Sequence, residues 1–72
     1  MSRTYEHAAA ALRQLMAEAG VTASELSART GIDAATIRAV AGGRQKNIST
    51  RNMVLFARFF SKKLGELIDS FA

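Results

Sequence analysis

Residues 22–43, TASELSARTGIDAATIRAVAGG, decide how the rest of this 72-residue chain is placed. They read as two short helices joined by a tight turn. Thr22 and Glu25 stand at the spacing of a capping box, in which each side chain satisfies an amide that the helix leaves unpaired. Leu26 is the apolar centre of that first helix, and Ala23 and Ser27 are small enough to admit a neighbour. Gly31 stops it, because a residue without Cβ reaches the left-handed conformation at little cost. Ile32 then plugs into the interior, Asp33 caps the next helix, and Ile37 and Val40 are its apolar positions. Gly42 and Gly43 end it.

Upstream, Ala9, Leu12, Leu15, Met16 and Ala19 recur at three- and four-residue steps, which predicts a helix over about 6–19. Gly20 ends that helix and Val21 tucks in behind it, while residues 1–4 are expected to fray. Downstream, Arg44-Gln45-Lys46-Asn47 is a polar loop anchored at its far end by Ile48. Ser49 or Thr50 caps a fourth helix over about 50–60, with Met53, Phe56, Ala57 and Phe60 facing the core. Ser61 caps a last one over about 63–70, containing Leu64, Leu67, Ile68 and Phe71. Gly65 weakens it by roughly 1 kcal/mol relative to alanine. β-branched residues are too scattered for a sheet. The reading is all-α: five helices in one domain over residues 1–72. Val54, Leu55 and Phe59 exceed what one buried face of helix four needs, so Leu55, Phe59, Ile68 and Phe71 are expected to form a dimer contact.

Composition narrows the chemistry. The chain has no cysteine, which removes disulfides and thiolate chemistry and fits a cytoplasmic compartment. No apolar run approaches the roughly 20 residues needed to span a bilayer. The single histidine, His7, sits beside alanines with no partners to complete a metal set, and the acids are scattered rather than paired. No enzyme activity, cofactor, metal, small-molecule substrate or membrane partner is expected. The charge is +4 and unevenly spread. Arg38, Arg44, Lys46, Arg51, Arg58, Lys62 and Lys63 follow one another with no acid between them. A single-sign block in so short a chain points to a polyanion or an acidic partner.

The spacing from Thr22 to Val40 is that of a helix-turn-helix, so double-stranded DNA is the leading partner. Over about residues 10–69 the chain resembles the Cro/C1-type (XRE-like) family of phage and bacterial regulators. The resemblance is carried by Leu12 and Leu15, Gly20-Val21-Thr22, Glu25-Leu26-Ser27, Gly31-Ile32, Thr36-Ile37, Val40, Gly43-Arg44, Ile48-Ser49, Met53, Phe56-Ala57 and Leu67. It departs from that pattern at Ala23, where family members often carry Gln, and at the alanine-rich start of the third helix.

The resemblance implies a five-helix lambda-repressor-like domain whose helix 34–41 enters the major groove. Arg38, Ala34, Ala35 and Asp33 would then face the bases. Arg38 is the one side chain able to offer two parallel donors to guanine. Thr22, Ser24, Thr36, Arg44, Lys46, Asn47, Ser49 and Arg51 would hold the backbone. A chain this short leaves no room for a sensor or activation domain, so a repressor is expected. A homodimer is expected because one reading helix covers only a few base pairs. The competing reading is a protein-interaction module on the same scaffold, antitoxin-like, anti-repressor-like or an adaptor, which engages a second regulatory protein.

Overall fold

Side-chain caps start three of the five helices, and one non-local strand pairing completes the molecule. The computed structural model describes residues 1–72. The order is β1 (Ser2–Thr4), α1 (Ala8–Ala19), α2 (Ala23–Thr30), α3 (Ala34–Ala41), β2 (Asn47–Ser49), α4 (Thr50–Phe59) and α5 (Leu64–Phe71). The capping box is formed: the Glu25 amide donates to Thr22 Oγ1 at 3.1 Å, and the Thr22 amide donates to Glu25 Oε1 at 2.9 Å. Gly31 closes α2 in the left-handed region at φ 80°. Thr30 then spans the turn, its hydroxyl donating to Leu26 O at 2.7 Å and accepting from the Ile32 amide at 3.2 Å. Asp33 caps α3 and Ser49, rather than Thr50, caps α4.

The capping box has a pH signature. The Thr22 amide and next the Thr22 hydroxyl, with the Arg29 charge adding less, hold the Glu25 carboxyl below the ordinary glutamate value. A carboxyl depressed on folding contributes stability that is present above its unfolded pKa and is lost as pH falls through the folded one. The Glu25 side-chain carbon in an NMR titration should therefore show an acid-shifted midpoint. Glu25→Gln should flatten the acid limb of the stability curve; an unshifted midpoint would show that the box is open in solution.

The N-terminus differs from the frayed end expected from its sequence. β1 pairs antiparallel with β2 in the register Ser2↔Ser49, Arg3↔Ile48 and Thr4↔Asn47, so a small two-stranded sheet joins the helices. The Thr50 amide donates to Met1 O and the Tyr5 amide to Lys46 O, both at 2.8 Å, which extends the ladder at each end. Alternation along the strand puts Arg3 and Tyr5 on the face of Ile48. Tyr5 is buried and meets Phe71 edge-on at 6.2 Å, while the Arg3 guanidinium lies 5.4 Å above the Tyr5 ring. A three-residue strand with its partner over 40 positions away has no local signal, and only burial of Tyr5 and Ile48 repays its ordering.

The core is wholly apolar in character, running through Leu12, Leu26, Ile37, Val40, Met53, Phe56, Leu67 and Phe71, with no charged side chain inside. α1 packs on α3 and α5, α3 also on α2, and α4 on α2 and α5. Two corrections concern α1. Ala8 and Leu12 are its buried residues, Ala9, Leu15 and Met16 are half-buried, and Ala19 is exposed. The C-terminal half of α1 overlooks an open groove that Leu15 and Ala19 share with Phe59 and Phe60, so its stripe is only partly covered. A third correction is Phe71, which is 0 % exposed and packs on Tyr5 and Phe56. It is a core residue, not a subunit contact. Leu64, expected among the apolar positions of the last helix, is instead 36 % exposed.

Ser61 does not cap the last helix. α5 starts after Lys63 with no side-chain cap, and Ser61 instead ends α4 at φ 55°. The Ser61 amide donates to Arg58 O at 3.3 Å and the Lys62 amide to Ala57 O at 2.9 Å, the paired bonds of a Schellman end. Gly20 and Gly43 occupy the equivalent positions after α1 and α3. Ser61 bears the Cβ penalty that they avoid. Ser61→Gly should therefore raise stability by about 0.5–1 kcal/mol in urea unfolding, the strain relief being partly offset by a more flexible unfolded chain. A loss of stability would show that Ser61 sits there without strain.

Candidate nucleic-acid interface

Burial of Ile37 and Val40 turns the opposite side of α3 to solvent. Ala35 and Arg38, one turn apart, are exposed there, and Ala34 and Thr36 are half-buried. Asp33 is exposed at the N-cap, its Oδ1 accepting from the Ala35 amide at 3.4 Å. Arg38 Nη2 donates to Ser24 Oγ at 3.1 Å, a bond from the middle of α3 to the first turn of α2. A guanidinium has five N–H donors, so four remain after this bond and two parallel ones are available to a flat acceptor pair. Thr22 and Ser49 spend their oxygen lone pairs on the α2 and α4 caps. A hydroxyl is also a donor, the polarity a phosphate oxygen requires, and Ser49 offers it at the start of α4.

Past α3 the chain turns sharply. A Cβ on Gly42 would stand 2.6 Å from Arg44 Nη1 and 3.0 Å from Arg38 O, so this glycine leaves the Arg44 side chain room to lie along the last turn of α3. Lys46 is exposed, and its ammonium is 3.1 Å from Glu6 Oε2. Asn47 is exposed in β2 opposite Thr4, its carbonyl accepting from Gln45 Nε2 at 3.0 Å. Arg51 is exposed in the first turn of α4. The motif is thus a pair of capped helices with an exposed arginine on the second, followed by a cationic crossing to β2. A model of the Cro/C1-type HTH DNA-binding domain matches residues 11–71 of the 72-residue chain. The chain belongs to that family. Compared with curated proteins and with solved structures, it finds no match.

Membership makes this Cro/C1-type domain a DNA-binding protein of transcription regulation. In it, α2 and α3 are the helix-turn-helix, and the structure brings Ser24 and Arg38 into contact across the pair. Two residues at the interface were not singled out by sequence reasoning. Arg13 Nη1 donates to Ala41 O at 2.6 Å, fastening α1 to the C-terminal end of α3, where a cation meets the negative end of the helix dipole. Glu6 reaches Lys46 from 40 residues away. Neither carries a local signal, since each is defined by the element that lands beside it. The site remains a polar, solvent-facing surface of helix ends and cations.

Proposed function

We propose that this Cro/C1-type domain binds a specific double-stranded DNA site, lays α3 in the major groove, and represses transcription by occupying that site. The observation that carries the reading is Arg38: it is exposed on α3, and one nitrogen of its guanidinium is tied to Ser24 on α2. In this reading Arg38 donates to guanine O6 and N7, Ala35 and the partly covered Ala34 touch thymine methyls, and Asp33 lies at the rim. Thr22, Ser24, Thr36, Arg44, Lys46, Asn47, Ser49 and Arg51 hold phosphates on either side. In this reading the protein acts in the cytoplasm, and on the nucleoid if the cell is bacterial.

One reading helix covers only a few base pairs, so useful affinity calls for two copies on a two-fold site. The half-buried Leu55, Phe59 and Ile68 and the exposed Leu64 supply apolar surface for such a contact, without Phe71. Selection of bound duplexes from a random pool, with the mass of the complex measured alongside, tests both parts. The expected result is an enriched inverted repeat carrying two chains. An unenriched pool overturns specific reading, and a one-chain complex on the enriched site overturns the dimer. A reporter whose promoter overlaps the enriched site should fall in output when the protein is expressed; a rise overturns repression.

A further inference from the structure

We propose that Glu6 is a brake on the phosphate grip of the loop after α3, an inference that rests on the DNA-binding reading above. From Arg38 to Lys63 the sequence holds seven cations and no acid. The fold inserts one. β1 runs beside β2, the Tyr5 amide donates to Lys46 O at 2.8 Å, and the next residue, Glu6, places its carboxylate 3.1 Å from the Lys46 ammonium. The Tyr5–Lys46 backbone bond continues the β1–β2 ladder and keeps Glu6 and Lys46 on neighbouring stretches of chain.

The contact does little for stability. Its side chains are 51 % and 63 % exposed, and ion pairs so exposed to solvent are among the weakest in proteins. Its consequence is for binding. A free lysine that meets a phosphate releases a counterion from the duplex. A lysine already paired must be shared between the carboxylate and the phosphate, so it neutralises the phosphate less. Glu6 thereby lowers the number of effective cations in the loop by about one. The effect falls on phosphate contacts, which every duplex offers, so it loosens binding to all sequences alike.

The experiment compares wild type, Glu6→Gln, Lys46→Gln and the double variant on a random-sequence duplex across a salt series. Glu18→Gln serves as the equal-charge control, its carboxylate lying in the groove between α1 and α5. Thermal unfolding by circular dichroism checks that each variant is folded. Glu6→Gln should tighten binding by about three- to tenfold at low salt and steepen the log–log salt slope by about one. Lys46→Gln should weaken binding, adding Glu6→Gln to it should restore little, and Glu18→Gln should change binding much less than Glu6→Gln. Wild-type binding with no gain from Glu6→Gln overturns this inference alone, as does an equal gain from Glu18→Gln or from Glu6→Gln in the Lys46→Gln background. Failure of the wild type and all folded variants to bind duplex at low salt overturns the DNA-binding reading, and the inference with it.

Discussion

Phe71→Ala is expected to leave most of the chain unfolded under conditions where the wild type is folded. The ring is fully buried, meets Tyr5 edge-on at 6.2 Å and lies 6.3 Å from Phe56. Truncating a buried phenylalanine costs about 3–5 kcal/mol in lost transfer energy and cavity. A domain this small rarely holds more than about 3–5 kcal/mol in total. Phe71 also joins the two ends of the chain, since the His7 amide donates to Phe71 O at 2.8 Å and His7 Nδ1 lies 2.9 Å from Ala72 O. Losing its ring therefore loosens β1 and α5 together. Urea unfolding followed by circular dichroism reads the loss, with Phe71→Leu expected to retain most of the stability. If the Phe71→Ala loss appeared only at concentrations where chains associate, Phe71 would be a subunit contact after all.

The second large effect concerns DNA. Arg38→Ala should cost about 1–3 kcal/mol on the preferred site and flatten the preference at the base pair that it reads. Arg38→Lys should keep part of the general affinity but not the preference, because a point charge lacks the parallel fork. Ser24→Ala should lose less, about 0.5–1 kcal/mol, since it removes the 3.1 Å bond that orients the guanidinium and not the guanidinium itself. Lys46→Ala should instead weaken every sequence about equally, lowering the salt slope by about one in the Glu6→Gln background and by less with Glu6 present. Titrations of the selected site and of single-base variants separate these patterns. Equal losses on all sequences from Arg38→Ala would reassign Arg38 to the phosphates.

The helices and turn of residues 22–43 were legible because the signals that start and stop them are local. The Thr22–Glu25 box, the left-handed Gly31 and the Asp33 cap each act within four residues, and Leu26, Ile37 and Val40 announce their faces by helical spacing. Ser61 misled for the opposite reason. Serine suits a cap, yet the bonds that close α4 needed a residue in the left-handed region there, and the chain had no glycine to supply it. Phe71 misled because an apolar residue near a chain end has the same pattern whether it packs inward or against a partner; only the arrival of Tyr5 and Phe56 decides.

The candidate interface divides along the same line. Arg38 is recognisable in sequence because its helix, its face and its fork geometry are all short-range facts. That Ser24 holds it, that Arg44 folds over Gly42, and that Glu6 engages Lys46 are facts of proximity between segments. The sequence by itself determined the five helices, the turn between α2 and α3 and the excess of positive charge after Arg38, since propensity, capping and charge act over one or two turns. Only the tertiary structure decided that the N-terminus is a strand, that Phe71 is core, and which cation in the loop carries an acid beside it. Those outcomes depend on pairs of residues far apart in the chain, whose meeting is set by packing around the common core.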